Sequence, residues 1–251
     1  EIHTIDFNSP SPKWAPISLP FPCPTYIRDI HGTSADNVWA VAGSGEELRK
    51  TSIILHYDGK VWTKHLENVY IGADAVFARG NDVWVGHQNG QIIHSNDGFK
   101  THMIIQKGYR GDFLIGQIRG GSSATSPIYI GGPDGLKVIK NPTCVPKKQF
   151  GLFGPLVPCQ KVEHLAQVPD KGNSGYRIMA LIGELPGMTE DQVYTAGYTA
   201  WGGLWNGKQL IQDKGIINNK VGQNVYTSLM VKDNVLYAVG NDNFIAKRRL
   251  I

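Results

Sequence analysis

Charge is scarce in this 251-residue chain: Asp, Glu, Lys and Arg make up only 18% of it and leave a formal net charge of +4. A dedicated nucleic-acid binder carries a clustered basic stripe. The short runs Lys147-Lys148 and Lys247-Arg248-Arg249 read instead as solvated or chain-end charge, so no nucleic-acid partner is expected. No apolar run approaches the roughly 18 residues of a membrane span, and no charged-then-apolar leader precedes Glu1. No membrane span is expected, and the compartment stays open, leaning to an extracytoplasmic or secreted setting.

Cysteine is equally sparse, and three are too few for a disulfide framework. Cys144 and Cys159 flank a Pro-rich segment and look like two arms of one excursion. In an oxidising compartment they would bridge; in a reducing cytosol they would stay free. Cys23 has no evident partner.

Familiar catalytic signatures are missing too. There is no Gly-x-Ser-x-Gly nucleophile, and none of the eight histidines forms a close His-x-x-x-His spacing with a carboxylate, as zinc would need. Gly120-Gly121-Ser122-Ser123 and Gly131-Gly132-Pro133 lack the Lys-Ser/Thr and the helix that phosphate binding requires. No metal and no cofactor are expected, and no catalytic residue is assigned.

What the chain does have is repetition, punctuated by 30 glycines and 14 prolines. Short strands centred on Trp39, Trp84, Tyr129, Tyr194 and Tyr237 recur at spacings of 45, 45, 65 and 43 residues. A period in that range, built of strands alone, marks propeller blades. Other apolar segments flank each aromatic strand and complete four strands per unit, joined by Gly, Asp and Asn turns. The fifth unit lacks its outermost strand, whereas Lys13-Trp14-Ala15-Pro16-Ile17-Ser18-Leu19 is an orphan near the N-terminus. Adding that orphan to the last blade would close the ring and remove an exposed edge. The expectation is an all-β fold: a five-bladed β-propeller of four-stranded antiparallel blades, closed by an N-terminal strand, as one domain over residues 1–251. The longer spacing is read as an excursion at about 141–175 on blade three, with a degenerate sixth blade as the alternative.

Val38-Trp39-Ala40-Val41 followed by His56-Tyr57-Asp58-Gly59-Lys60-Val61-Trp62 resembles repeats of bacterial kelch-like and Asp-box propellers. Ser95-Asn96-Asp97-Gly98-Phe99-Lys100-Thr101 resembles an Asp box, departing from it where Phe99 replaces a Gly. The resemblance implies architecture and carries no activity with it.

A second recurrence bears on function. Each unit's first strand is led in by a tyrosine: Tyr26, Tyr70, Tyr109, Tyr176 and Tyr226. Innermost strands surround the axis of a propeller, so five phenols are expected around one mouth of the channel, where apolar faces and hydroxyls suit a partner loop or a sugar. Arg28, Asp29, Asp74, Arg110, Asp112 and Arg177 would stand near them, and Tyr198 and Trp201 would reach the same mouth by loops. The competing reading makes the tyrosines wedges packed between blades. The mid-strand aromatics are expected in the core.

These residues favour a non-catalytic module that presents a Tyr-rimmed mouth to a protein partner, as a scaffold, inhibitor or immunity-type antagonist. A glycan-binding lectin is the first alternative, although the polar neighbours differ from blade to blade. A glycoside hydrolase using Asp29, Asp74, Asp112 or Glu184 is the second, and it requires two carboxyls roughly 5–9.5 Å apart.

Overall fold

The computed structural model describes residues 2–5, 9–17, 19, 25–44, 52–69, 72–106, 115–133, 135–144, 147–150, 153–157, 159–166, 178–183, 188–197, 202–213, 226–240 and 245–249. Among them there are strands and turns and no helix. A short hairpin comes first, β1 (Ile2–Ile5) with β2 (Trp14–Ile17). Sheet 1 is β3 (Thr25–Ser34), β4 (Asn37–Ser44), β5 (Ser52–Tyr57) and β6 (Trp62–Val69), and sheet 2 is β7 (Ala73–Arg79), β8 (Asp82–His87), β9 (Ile92–Ser95) and β10 (Met103–Gln106). Sheet 3 has β11 (Gln117–Gly120), β12 (Ile128–Gly132), β13 (Gly135–Ile139) and β16 (Glu163–Ala166), with the hairpin β14 (Lys147–Phe150) and β15 (Phe153–Val157) inserted before its last strand. Sheet 4 is β17 (Ile178–Gly183), β18 (Val193–Gly197), β19 (Gly202–Trp205) and β20 (Leu210–Gln212), and sheet 5 is β21 (Tyr226–Lys232), β22 (Val235–Gly240) and β23 (Ile245–Arg249). All ladders are antiparallel, and the sheets are the blades of a five-bladed β-propeller.

Local chemistry sets the turns. Asp58 Oδ1 accepts the amides of Lys60 and Val61 at 2.9 and 2.8 Å, and Asn206 Oδ1 does the same for Lys208 and Gln209 at 3.1 and 2.9 Å. Such Asx turns precede the fourth strand of sheets 1 and 4. Each is followed by a glycine at φ +89°, Gly59 or Gly207, a conformation that a β-carbon penalises. The Ser95–Thr101 turn closes on itself: Ser95 Oγ accepts the Phe99 amide at 2.8 Å, and Asp97 accepts the Thr101 amide at 2.9 Å.

The core lies between sheets, and the mid-strand aromatics organise it. Trp39 packs into the junction of sheets 1 and 2, Trp84 into that of 2 and 3, Tyr129 into 3 and 4, and Tyr194 into 4 and 5. All four are buried, as the sequence leads one to expect. Each of these aromatics thus faces the sheet that follows. Tyr237 holds the same place in sheet 5 but is only half-buried, because among the described residues no apolar cluster joins sheet 5 to sheet 1. The other face of sheet 1 is covered instead by Ile17 and Leu19 of the N-terminal segment.

Trp14–Ile17 is a strand, as expected, but its ladder partner is β1. Among the described residues sheet 5 has three strands, so the closing ladder expected from the N-terminal segment is not among those seen. Pro16 within β2 suits an edge position, since it has no amide to donate. The excursion on the third blade is a disulfide-based hairpin: Cys144 is bonded to Cys159, with Cα atoms 6.0 Å apart. Gln160 Nε2 donates to Pro142 O and Cys144 O at 3.2 and 3.4 Å and fastens its base.

Candidate functional site

The innermost strand of every sheet runs beside the central channel, and side chains on these strands tie one sheet to the next. Asp29 of β3 and Gln117 of β11 occupy the same ladder position, opposite the residue two beyond the aromatic. Asp29 Oδ2 accepts the Val76 amide at 2.9 Å, and Gln117 Oε1 accepts the Leu181 amide of the next inner strand. His31 adds a second tie, its Nδ1 accepting the Ala78 amide at 3.3 Å with the ring edge-on to Phe77. Burial, reinforced by Arg119, holds the His31 pKa down at about 4, against the opposing pull of Asp29.

At the downstream ends of the inner strands these elements enclose a cavity of about 870 Å³ to which all five sheets contribute. Phe77, Leu181, Leu229 and Met230 give it apolar wall, and His31, Arg79, Asp82 and Arg119 give it polar wall. Its charges are largely matched already. Arg119 pairs with Asp29 and also donates to Val76 O at 2.9 Å. Arg79 Nε lies 2.5 Å from Asp82 Oδ2, and its Nη1 donates to Ser123 O and Ser126 O at 2.5 and 3.2 Å. Asp82 in turn binds His94 Nε2 at 2.5 Å, and the His94 ring is stacked on Trp84 at 3.8 Å. Sheet 1 repeats this last arrangement with Asn37, His56 and Trp39, which accounts for the matching histidines in the sequence.

The opposite ends of the inner strands carry the residues singled out from the sequence. Tyr26 is 57% exposed there. Arg28 Nε is 3.9 Å from Asp74 Oδ1, which also accepts a 3.0 Å bond from Gln88 Nε2. Burial raises the Asp74 carboxyl above the usual range despite those two partners. Asp29, placed with them by sequence, is committed to Val76 and Arg119, so it is a strut between sheets. Tyr226 departs further: it is fully buried among Ala180, Tyr194 and Leu236, and burial pushes its pKa to about 12.

The ladders explain the split. The residues opposite the one two beyond the aromatic are Asp29, Ala75, Gln117, Ala180 and Ser228 in sheets 1 to 5. Along the chain, Tyr26 and Tyr226 precede those positions by three and two residues, and the other three, Tyr70, Tyr109 and Tyr176, by five, eight and four, so the tyrosines share no common register. Those three, with Arg110, Asp112, Arg177, Glu184, Tyr198 and Trp201, lie outside the described residues. The leading tyrosines do not mark the cavity, but the sequence carries a signal for it: His31-Gly32, Arg79-Gly80, Arg119-Gly120 and Ile182-Gly183 recur where four inner strands end.

No family model and no curated protein sequence matches this chain. Solved structures do. A structure described as YCF48 bound to D1 peptide is similar over 92% of this chain and 65% of its own, with a TM-score of 0.58 at 14% identity. The extracellular domain of a putative one-component system from B. thetaiotaomicron matches 90% of this chain and 28% of its own, with a TM-score of 0.58 at 15% identity. The WD40 β-propeller domain of Doa1 matches 89% and 65%, with a TM-score of 0.52 at 15% identity. The chain therefore spans less than two thirds of each of these proteins, and the likeness is one of β-propeller fold.

Proposed function

We propose that the chain is a non-catalytic β-propeller module, one domain over residues 1–251, that captures an extended segment of a protein partner at its central channel. The observation that carries this reading is the convergence of all five inner strands on one cavity of about 870 Å³ with mixed apolar and polar walls. That volume lies in the range of sites that enclose a ligand. The ion pairs in its wall are matched within the protein, so they pre-organise the surface and leave contact to Phe77, Leu181, Met230 and nearby backbone. The peptide in the YCF48 structure and the assembly described as the mitotic checkpoint complex, whose structure is similar over 98% of this chain at 14% identity, support protein binding as the use of the fold. The rim at the other mouth, with Tyr26, Arg28 and Asp74, is the alternative contact. Kelch-like or Asp-box kinship remains part of the proposal, and the self-bonded Ser95–Thr101 turn supports it.

The test is selection of peptides from a random display library on the immobilised 251-residue chain, followed by crosslinking from a photoreactive residue placed at Ser122 or at Tyr26. Transfer from Ser122, and loss of binding in Ser122→Trp, are the expected results. Transfer from Tyr26 alone would move the site to the rim. No enriched peptide, or enrichment on a glycan array instead, would overturn the reading.

A further inference from the structure

The cavity is divided in two. Among the described residues, sheets 4 and 5 give it only Gly183 and aliphatic side chains, namely Leu181, Ile182, Leu229, Met230 and Val231. Sheets 1 to 3 supply every polar side chain in its wall: His31, Thr33, Arg79, Asp82, Arg119 and Ser122. Whatever enters therefore meets an apolar half on one side and a hydrogen-bonding half on the other.

In the polar half the carboxylates are already engaged. Both oxygens of Asp82 are taken, Oδ2 by Arg79 Nε and Oδ1 by His94 Nε2. Asp29 is held in the same way by Arg119 and the Val76 amide. Donors remain on β3. His31 accepts the Ala78 amide on Nδ1, so its ring, uncharged at neutral pH with a pKa of about 4, carries its proton on Nε2 and donates from there. Thr33 Oγ1 accepts from Asn37 Nδ2 at 3.2 Å, which leaves its hydroxyl hydrogen to donate. These donors stand two residues apart on one strand, and carbonyls along one side of an extended chain are also two residues apart. A charged side chain has no place in such a cavity. A cation would find no free carboxylate, an anion would be surplus to guanidiniums that each have a carboxylate, and either would be desolvated against the apolar half.

We infer that the segment captured in the cavity is uncharged and apolar along one side: His31 Nε2 and Thr33 Oγ1 donate to its main-chain carbonyls, and its aliphatic side chains lie on Ile182, Leu229 and Met230. This inference rests on the reading of the cavity as the capture site and adds what is selected there. Sheet 1 holds main chain, which every sequence offers, so it supplies attachment. Sheets 4 and 5 discriminate, because only an apolar side chain gains from leaving water beside them. A segment with a charged residue at a buried position is rejected by the cost of dehydrating it.

The test uses the full chain and takes, from the display selection, the peptides that crosslink from Ser122. Their shared core should be rich in Leu, Ile, Met and Val and free of Asp, Glu, Lys and Arg. A fluorescein-labelled consensus peptide should bind saturably in anisotropy titrations, with a scrambled peptide of the same composition as control. Thr33→Val should weaken binding about three- to tenfold, the share of one hydrogen bond, and Met230→Asp about tenfold or more. With Lys at one apolar position, the peptide should bind the Met230→Asp chain better than the parent chain. Thr33 and Met230 are exposed, so circular dichroism and thermal unfolding of both variants should match the parent. Charged residues throughout the crosslinked core, equal binding of the scrambled peptide, or indifference to both substitutions would overturn this inference and leave the capture site standing. The absence of any enriched peptide would overturn the reading of the site itself, and this inference with it.

Discussion

Asp29 of the first sheet and Arg119 of the third meet across the inner strand of the second, with Nη1 3.2 Å from Oδ2 and Nη2 3.3 Å from Oδ1. Both side chains are more than four-fifths buried, and each also bonds the main chain of Val76, so one ion pair clamps three blades. Removing the guanidinium alone strands a carboxylate in a poorly solvated place. Arg119→Met should lower unfolding free energy by about 2–4 kcal/mol in urea titrations. Combined with Asp29→Asn, which keeps an acceptor for the Val76 amide, the loss should fall short of the sum of the single losses.

His31 makes the same region sensitive to acid. Its pKa is about 4 in the folded chain against 6.5 for an unperturbed imidazole, so between these values the unfolded chain binds the proton more readily. This contribution to stability is complete above about pH 6.5 and is lost as pH falls toward 4, by about 1–3 kcal/mol for a half-buried ring. His56 and His65 are lowered by burial too and act in the same direction. Stability measured against pH for the parent and for His31→Asn isolates the share of His31: the variant keeps an acceptor for Ala78, and its curve should be flatter in this window.

The Cys144–Cys159 bond encloses a hairpin hanging from sheet 3, so its loss should be felt mainly there. Closing a loop of that length contributes about 3 kcal/mol to the segment it constrains. Reduction, or Cys144→Ser/Cys159→Ser, should speed tryptic cleavage at Lys147 or Lys148 severalfold while the main unfolding transition shifts little. A collapse of the whole transition would show that the hairpin supports more than itself.

Phe99 combines an unfavourable backbone with a favourable side chain. Its φ is +60°, yet the ring is buried 5.7 Å from Trp39 in the first junction. Phe99→Gly relieves about 1 kcal/mol of strain and forfeits about 3–5 kcal/mol of packing. The net effect should be a loss of about 2–4 kcal/mol by urea denaturation. A stabilised variant would mean that the glycine of the Asp-box pattern belongs here after all.

Trp39, Trp84, Tyr129 and Tyr194 could be read from sequence because each does the same work in the same surroundings, and repetition exposes such residues. The leading tyrosines misled for the complementary reason. Spacing along the chain cannot reveal a register shift: exposed Tyr26 stands three residues before Asp29, whereas buried Tyr226 stands two before Ser228, the equivalent ladder position. Asp29 and Gln117 share a task without sharing chemistry, and their partners lie 47 and 64 residues away, so no local pattern could announce the pair. The leading tyrosines stand where inner strands begin and so do not point to the cavity, whereas Arg79-Gly80 and Arg119-Gly120 mark where those strands end.

Since the aromatics of sheets 1 to 4 look toward the sheet that comes after, the array has a direction, and it is the direction of synthesis. A ribosome would release sheet 1 with its rear face already served by Ile17 and Leu19, and every later sheet would emerge beside an aromatic surface waiting to be covered. Order of manufacture and order of burial coincide, which spares the growing chain long intervals with apolar surface exposed.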